Sequence, residues 1–571
     1  MRIIADGTSD YVIVVGEGAL PSEAYAGAEL QRFLGEITGV VLPILSDREP
    51  ARDHEILVGE SRRSRALGSD LTESGLGDEG FVIRTIGPHL LLAGGRKRGT
   101  LYAVYSFLEE QLGCRWFTPD VSRIPQRSIV EVDPLDQRVV PVLEWREPRC
   151  GDLEVAGDWA ARNKLFGRFT QLEERHGGKL RWEHYVHTFY PLLPPEKHWD
   201  DHPEYYSQID GERASYRAQL CLTNPEVLEH VIDGVRAWIE EDPESAVVSV
   251  SQNDWYRYCQ CSECAAIDER EGSPSGTMIR FVNQVAEAIE RDYPDVTIST
   301  LAYQYTRHAP RTLRPRHNVV PVLCSIECCF SHPLTECERN ASFVADMRAW
   351  AEISPKLYVW DYVTEFGHYQ APWPNLYSLK PNLQFFVENG VRGVFEQGPG
   401  TTSEFAELRT YLLAKLLWNP EADVDATIDE FLAAYYGGAA GALKDYIALL
   451  HNKARREHLH SHIWSPLNRA LFTQDWLAQA TDLFDQAERD AGGEAFLRRV
   501  RVARLPLEYV KIVTRAYPEE RARQVASDFL RVAEEAGIRE IREGTPLREF
   551  GKDVATLHTT RDRHEAAHAA G

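Results

Sequence analysis

Short apolar runs rich in β-branched residues alternate along much of the chain with stretches whose apolar positions recur every three or four residues, the pattern of strands alternating with amphipathic helices. Tyr11 to Val15 and Glu55 to Val58 read as strands, Pro21 to Ile37 as a helix ending near Gly39, and Phe81 to Ile86 with His89 to Ala93 as a hairpin across Gly87 and Pro88. The string from Gly94 to Phe117 places a glycine turn before a helix from Thr100 to Leu112. Such a turn can hold phosphate, and Arg96, Lys97 and Arg98 add charge, but the string matches no phosphate-binding fingerprint. It reads as a tight turn feeding a packing helix.

Prolines at 125, 134 and 141 mark a linker, after which the alternation becomes regular. Candidate strands are Leu143 to Trp145, a poorly defined one near Tyr185 to Tyr190, Ala218 to Leu222, Val247 to Val250, Thr297 to Tyr303, Val319 to Ser325, Leu357 to Trp360 and Val391 to Phe395. Helices fall at Pro225 to Glu240, Gly276 to Arg291, Ala341 to Ile353 and Leu379 to Asn389. This is the pattern of a (β/α)8 TIM barrel. Beyond Pro420 only helical periodicity remains, and Tyr435, Tyr436 and Trp464 are the expected contact surface of that part with the barrel. The expected organisation is α/β overall: an N-terminal α/β domain over 1–137, the barrel over 138–420, a helical domain over 421–560 and a flexible tail over 561–571.

A chain of 571 residues exceeds one ordinary core, in keeping with several domains, and 43% apolar with 26% charged residues describes a soluble globular protein. The formal charge of -24 argues against nucleic acid or an anionic membrane as partner. The start, MRIIADGTSD, meets Asp6 and Asp10 before any apolar stretch of signal-peptide length, so a cytoplasmic location is expected. Oligomeric state is left open, a homo-oligomer included.

Polar residues recur just past the strand ends, where a barrel delivers side chains to its C-terminal mouth. The fourth strand yields Asn253 and Asp254; the fifth Tyr303, Gln304 and Tyr305; the sixth Glu327; the seventh Asp361 and Tyr362; the eighth Glu396 and Gln397. For Asn253 and Asp254 the competing reading is a cap on the next helix. Four carboxylates on four strands suit glycoside hydrolysis, in which one carboxyl protonates the leaving oxygen and another group stabilises or attacks the oxocarbenium-like centre. Trp255, Tyr258, Trp360, Tyr369 and Trp373 can stack on sugar rings or simply pack loops. His187, in a proline-rich loop, is either a substrate hydrogen-bonder at the mouth or a structural histidine.

Several strings in order carry a resemblance: SVSQNDWYRYCQCSECAAID, LAYQYTRHAP with NVVPVLCSIECCFSHPL, and WDYVTEFGHYQAPWPNL with NGVRGVFEQG, extended by QLCLTNPEV and YLLAKLLWNP. Over roughly residues 140 to 420 the chain resembles the bacterial domain of unknown function 4838, which defines glycoside hydrolase family 163, whose characterised members are endo-β-N-acetylglucosaminidases. The N-terminal unit, through RGTLYAVYSFLEEQLGCRWF, resembles the domain preceding the barrel in α-glucuronidases and β-hexosaminidases. The resemblance implies a retaining, β-N-acetylglucosaminidase-like hydrolase. With no export signal, a small glycoside or oligosaccharide is the expected substrate.

If the substrate bears a 2-acetamido group, its carbonyl can be the nucleophile, and the protein then supplies an acid and a group that orients the amide. Glu327 is expected as the general acid and Asp254 as the orienting group, with Asp361 and Glu396 in reserve. Asn253, Trp255, Tyr303, Trp360, Tyr362, His187 and Gln397 are the expected substrate-binding residues. Two alternatives are kept. One is an α-glucuronidase-like enzyme with a basic pocket drawn from Arg146, Arg162 and Arg307; the other is a non-catalytic carbohydrate-binding barrel.

Cys259, Cys261 and Cys264 form C-x-C-x-x-C, and thiolates so spaced clasp zinc when a fourth ligand arrives, for which Cys324, Cys328 and Cys329 are candidates. No second C-x-x-C or H-x-x-x-H completes the set, so these cysteines read as buried free thiols or an incidental disulfide, and no metal or cofactor is expected. His184, His187, His198 and His202 cluster in sequence, with His184 and His187 one helical turn apart, but the prolines around them argue for a loop.

Overall fold

The computed structural model describes residues 1–67, 75–151, 153–182, 184–517 and 519–551. The expected tail over 561–571 lies outside the described residues. Among the described residues no helix is long and apolar enough to cross a membrane.

The N-terminal part builds a six-stranded sheet from β1 (Val12–Val15), β2 (Ile44–Ser46), β3 (Glu55–Val58), β4 (Phe81–Ile86), β5 (His89–Gly94) and β6 (Asp136–Val139), in the order β6-β4-β5-β3-β1-β2. Helix α1 (Pro21–Thr38) starts with proline in its first turn, where no N–H is needed, and stops at Gly39, whose φ of 75° suits glycine. Its Leu30, Phe33, Leu34 and Ile37 pack with Leu101, Tyr105 and Leu108 of α2 (Gly99–Glu110) in one core. The turn before α2 is closed by backbone: a Cβ on Gly95 would lie 1.9 Å from the Gly77 carbonyl. Arg96 donates to the Gly18 carbonyl, while Lys97 pairs with Asp78 and Arg98 with Glu79. The packing-turn reading therefore holds, and the phosphate reading has neither the room nor the spare charge.

The central sheet is parallel and curled, with strands β7 (Trp145–Arg149), β8 (Val247–Ser249), β9 (Thr297–Ala302), β10 (Val319–Cys324), β11 (Leu357–Tyr362) and β12 (Val391–Gln397) in the order β7-β12-β11-β10-β9-β8. Six of the eight expected strands form, the first beginning two residues later than expected. Near Tyr185 the chain leaves the extended region at His187, whose φ is 55°, and Phe189–Leu192 turns helical amid prolines 191, 194 and 195. Irregular chain takes that strand's place along β8: Ala246 N–H donates to the Arg181 carbonyl, Ser249 N–H to His184 and Thr188 N–H to Ser251. Ala218 to Leu222 makes only isolated bridges, Ala218 to Arg257 and Leu220 to Tyr206. What forms is a half-barrel whose open side is filled by loops.

Strand alternation divides the side chains. Trp145, Leu301, Val322, Cys324, Tyr358 and Phe395 point into the concave centre, where Trp182 and Tyr185 from the irregular segment complete an aromatic plug, with Trp145 and Trp182 ring centres 5.0 Å apart. Ala302, Leu323, Val359 and Val394 point to the surrounding helices. The last helices, from Val424–Tyr436 to Glu519–Glu535, share that outer core, after which a short hairpin, Glu540–Arg542 with Thr545–Pro546, returns to the mouth of the sheet. There Glu543 N–H donates to the Phe366 carbonyl and Tyr369 N–H to Ile541.

Candidate functional site

At the C-terminal ends of the central strands lies a cavity of about 250 Å³. Its floor is Leu301, Cys324 and Trp360, its walls Tyr303, Tyr362 and Gln397, and Phe366, Ile463, Trp464 and Glu543 close it from above. Trp464 belongs to the expected contact surface of the helical part and reaches the mouth itself, whereas Tyr435 and Tyr436 line a separate cavity with Arg498 and Arg499.

Asp254 opens into this cavity. The Tyr303 hydroxyl donates to Asp254 Oδ1 at 2.9 Å, and the Gln304 amide reaches both Oδ1, at 3.4 Å, and the Tyr303 oxygen, at 3.0 Å. Burial and the charge of Asp254 push the Tyr303 phenol well up, so it remains a donor. Asn253 serves the backbone instead of a ligand: its amide donates to the Ala218 carbonyl, and Gln219 clamps its peptide, accepting from Asn253 N–H at 2.8 Å and donating to Asn253 O at 2.9 Å. Neither residue caps the next helix, which begins at Ser262 with Cys261 as its cap residue.

Of the expected site residues, Asp254, His187, Tyr303, Trp360, Tyr362 and Gln397 line the cavity. His187 is oriented by its Nδ1 on the Gln252 carbonyl at 2.8 Å, and the Trp360 indole donates to Gln397 Oε1 at 2.8 Å. Asn253, Trp255, Glu327, Asp361 and Glu396 do not line it. Trp255 packs against Tyr190, and Glu327 stands at the rim in an ion pair with Arg307, 3.1 Å away, which also binds Asp346. Asp361 and Glu396 sit opposite each other on β11 and β12 but on the helix side, because the inward positions are Trp360, Tyr362 and Gln397. Both are buried; Asp361 accepts from the Ser325 hydroxyl, burial pushes it up to about 6, and burial plus the charge of Asp361 pushes Glu396 well above the carboxylate range.

Two carboxyls at the mouth have no counterpart in the sequence reading. Glu543 lines the cavity from the C-terminal hairpin, and its carboxyl is raised by burial and by the charge of Asp254. Glu365, three residues past β11, is buried and pushed up to about 8 by burial alone; His368, one turn on, holds the Tyr509 hydroxyl at 2.6 Å. Glu365 was open to detection, since it stands in the same post-strand segment as Asp361. Glu543 carried no such signal, being nearly 150 residues from the last central strand.

The state of Glu365 sets a pH dependence. An acid raised in the folded state from 4.5 to about 8 contributes stability that is fully present below its unfolded value and is lost as pH rises through about 8. Glu365→Gln should therefore match wild type near pH 5 and exceed it at pH 9 by on the order of a few kcal/mol in urea unfolding. An unchanged pH profile would refute the assignment.

The arginines expected to form a basic pocket are all engaged: Arg146 with Glu79, Arg162 with Glu29, and Arg307 as described. Arg149, at the end of β7, is a cation at the mouth. Its guanidinium lies over the Phe169 ring at 4.0 Å, makes no ion pair among the described residues, and lines an adjoining cavity of about 440 Å³ together with Gln397, Arg539, Glu540 and Glu543.

The ten cysteines are unpaired thiols. Cys259, Cys261 and Cys264 meet a fourth sulfur, from Cys221, not from Cys324, Cys328 or Cys329. Cys329 instead joins His332, Cys337 and His460 in a second cluster. His184 and His187 do not share a helix; His184 stacks on Trp238 with ring centres 3.6 Å apart.

Residues 116–448 match the family model described as Domain of unknown function (DUF4838), and residues 8–107 match that of the Glycosyl hydrolase family 67 N-terminus. No curated protein matches. Among solved structures, one similar in fold is a family GH115 4-O-methyl-α-glucuronidase with specificity for decorated arabinogalactans, 11% identical, covering 94% of this chain and 77% of its own at a TM-score of 0.59. Weaker likenesses are CpGH84B, 10% identical over 97% and 98% of the two chains at 0.44, and a GH138 enzyme targeting pectin rhamnogalacturonan II, 9% identical over 98% and 100% at 0.45. The glycosyl hydrolase N-terminal match supports a glycoside hydrolase enzyme; the matches do not extend to a hexosaminidase assignment.

Proposed function

The chain belongs to the DUF4838 family, and from that premise we propose that it hydrolyses a glycosidic bond at the mouth of the central sheet, with Asp254 and Glu543 as the working carboxyls. The observation that carries this reading is the cavity itself: an aromatic-walled chamber at the strand ends in which Asp254, oriented by Tyr303, meets a second acid whose proton affinity its charge raises. An ionised carboxylate beside a carboxyl held higher is the division of labour that glycoside hydrolysis needs. Glu543 takes the proton-donor role that the sequence reading gave to Glu327, whose carboxylate is committed to Arg307. Trp360, Tyr362 and Trp464 offer faces for a sugar ring.

Within that reading, a retaining β-N-acetylglucosaminidase-like reaction assigns Asp254 to orienting a 2-acetamido group whose oxygen attacks the anomeric carbon. The loops that fill the half-barrel then complete a (β/α)8-like mouth. A panel of 4-nitrophenyl glycosides that includes β-N-acetylglucosaminide tests the class. Turnover of that substrate supports the assignment, and turnover of other sugars alone refutes it.

Arg149 favours a second reading, a uronic acid in the adjoining cavity with its carboxylate on the unpaired guanidinium, in keeping with the α-glucuronidase among the similar folds. Arg149→Ala should then raise KM for an aryl α-glucuronide by about 10-fold or more with kcat largely kept. No α-glucuronide turnover by wild type would remove this reading.

A further inference from the structure

We propose that the chain carries a structural zinc ion held by Cys221, Cys259, Cys261 and Cys264. Their four sulfur atoms lie within 4.8 Å of one another, and Cys221 Sγ stands 3.8 Å from Cys261 Sγ. A tetrahedron with Zn–S bonds of about 2.3 Å has edges of about 3.8 Å. Three ligands come from one short segment, and the fourth comes from a segment about 40 residues earlier, brought close by the fold.

The surroundings suit thiolates. The Gln208 N–H points at Cys259 Sγ at 3.3 Å, and Arg213 Nη1 stands 3.9 Å from the same sulfur. The Thr223 hydroxyl lies 3.3 Å from Cys264 Sγ. Cys261 is the cap residue of the helix Ser262–Glu271, and Cys264 lies in its first turn, where the free N–H groups and the helix dipole favour negative sulfur. Four thiolates form a closed, soft set with no open position, which assigns the ion to structure.

Its place in the fold says what it holds. Ala218 to Leu222, where the third barrel strand was expected, has only isolated bridges. Zinc would tie this segment at Cys221 to the chain that follows Asp254, two residues from the Gln219 that clamps Asn253 on both sides. A metal cross-link thus does there what a ladder of backbone hydrogen bonds does in a closed barrel.

A separate observation carries a second zinc site. Cys329, His332, Cys337 and His460 also bring their ligand atoms within 4.8 Å of one another, with Cys329 Sγ 3.4 Å from His332 Nδ1 and Cys337 Sγ 3.5 Å from His460 Nδ1. An N–S edge of a zinc tetrahedron is about 3.6 Å. His460 turns its other nitrogen to the Glu338 carboxylate at 3.4 Å, the arrangement that orients metal-bound histidine. This ion would join the loop after β10, just past Glu327, to the segment that carries Ile463 and Trp464 over the cavity.

The test is elemental analysis of the full chain, expressed with zinc in the medium and purified without chelator. Two equivalents of zinc per chain are expected. Cys261→Ser and His460→Ala should each lower the content by one equivalent. Replacement by cobalt in the wild type should give thiolate-to-cobalt charge-transfer bands of tetrahedral sites, a readout that does not depend on either variant folding. Removing the metal with a chelator should lower the unfolding midpoint, with zinc restoring it.

Wild-type protein that binds neither zinc nor cobalt overturns both sites. Two equivalents retained by Cys261→Ser overturn the four-cysteine site, and two retained by His460→Ala overturn the other. Iron in place of zinc overturns the choice of metal. Fewer than ten titratable thiols in denaturant, in a protein without metal, would show disulfides in these positions instead.

Discussion

Replacing Asp254 by Asn should lower kcat on any glycoside the enzyme turns over by on the order of 10³-fold, with KM changed far less. The substitution keeps volume and leaves an oxygen to accept from the Tyr303 hydroxyl, so the mouth stays folded; what disappears is the negative charge facing the sugar. That charge acts on the oxocarbenium-like centre, or on an acetamide becoming cationic, and so is felt in the transition state more than in the bound substrate. A second effect follows at Glu543, which loses the neighbouring charge that raises its carboxyl, so the residual activity of Asp254→Asn should peak at lower pH. Glu543→Gln has a different signature. As proton donor, its loss should be small with 4-nitrophenyl leaving groups, which depart unaided, and grow with poorer ones. If Glu327→Gln gives that leaving-group dependence and Glu543→Gln does not, the acid is Glu327, as the sequence alone suggests. If Asp254→Asn leaves kcat within a few-fold of wild type, the proposed site is refuted.

Arg146→Met should destabilise the protein by about 3–5 kcal/mol, read as a lower urea midpoint with unchanged slope. Arg146 is fully buried on β7 and donates to both oxygens of Glu79, at 2.7 and 2.8 Å, while also donating to the Lys164 and Leu143 carbonyls. Glu79 belongs to the N-terminal part, where Arg98 holds its other flank at 2.8 Å. Burial alone would push Glu79 up; Arg146 and Arg98 outweigh it and hold the carboxyl below the usual range. Removing one arginine leaves a buried carboxylate and two carbonyls short of donors, which costs more than the pair itself contributes. Arg146→Met with Glu79→Gln should therefore recover part of the loss. The network also predicts acid sensitivity: its stability is present above the unfolded value of Glu79 and is lost as pH falls through the depressed one. A double variant no more stable than Arg146→Met would disprove this account.

Much of the fold was legible because it rests on local periodicity. The helices Pro225–Glu241 and Ala341–Ile353 fall within one residue of where apolar spacing and proline placed them. The strands β9 to β12 begin at the residues expected, β9 and β10 on β-branched runs that both faces of a parallel sheet demand, while β11 and β12 run two residues past their expected ends. The missing strands were marked by weak patterns, and the filling of their place by Trp182 and Tyr185 is a matter of shape that no periodicity encodes.

The site was half legible for a reason of parity. Knowing that a strand ends at Tyr362 says that Trp360, Asp361 and Tyr362 are near the mouth; only the register of the sheet says that Trp360 and Tyr362 face the cavity while Asp361 faces the helices. One residue of offset exchanges the two faces, and sequence sets an end no better than that. For the cysteines, spacing set Cys259, Cys261 and Cys264 side by side with no metal expected, and folding alone decided that Cys221 would join them. Sequence by itself determined the α/β alternation, the aromatic and acidic content of the strand ends and the family, because these depend on residues close together in the chain. Which acids meet was decided by tertiary structure alone: Asp254 and Glu543 are brought to one cavity by a C-terminal hairpin that docks there through backbone hydrogen bonds to Phe366 and Tyr369, and backbone pairing of that kind leaves no mark in side-chain pattern.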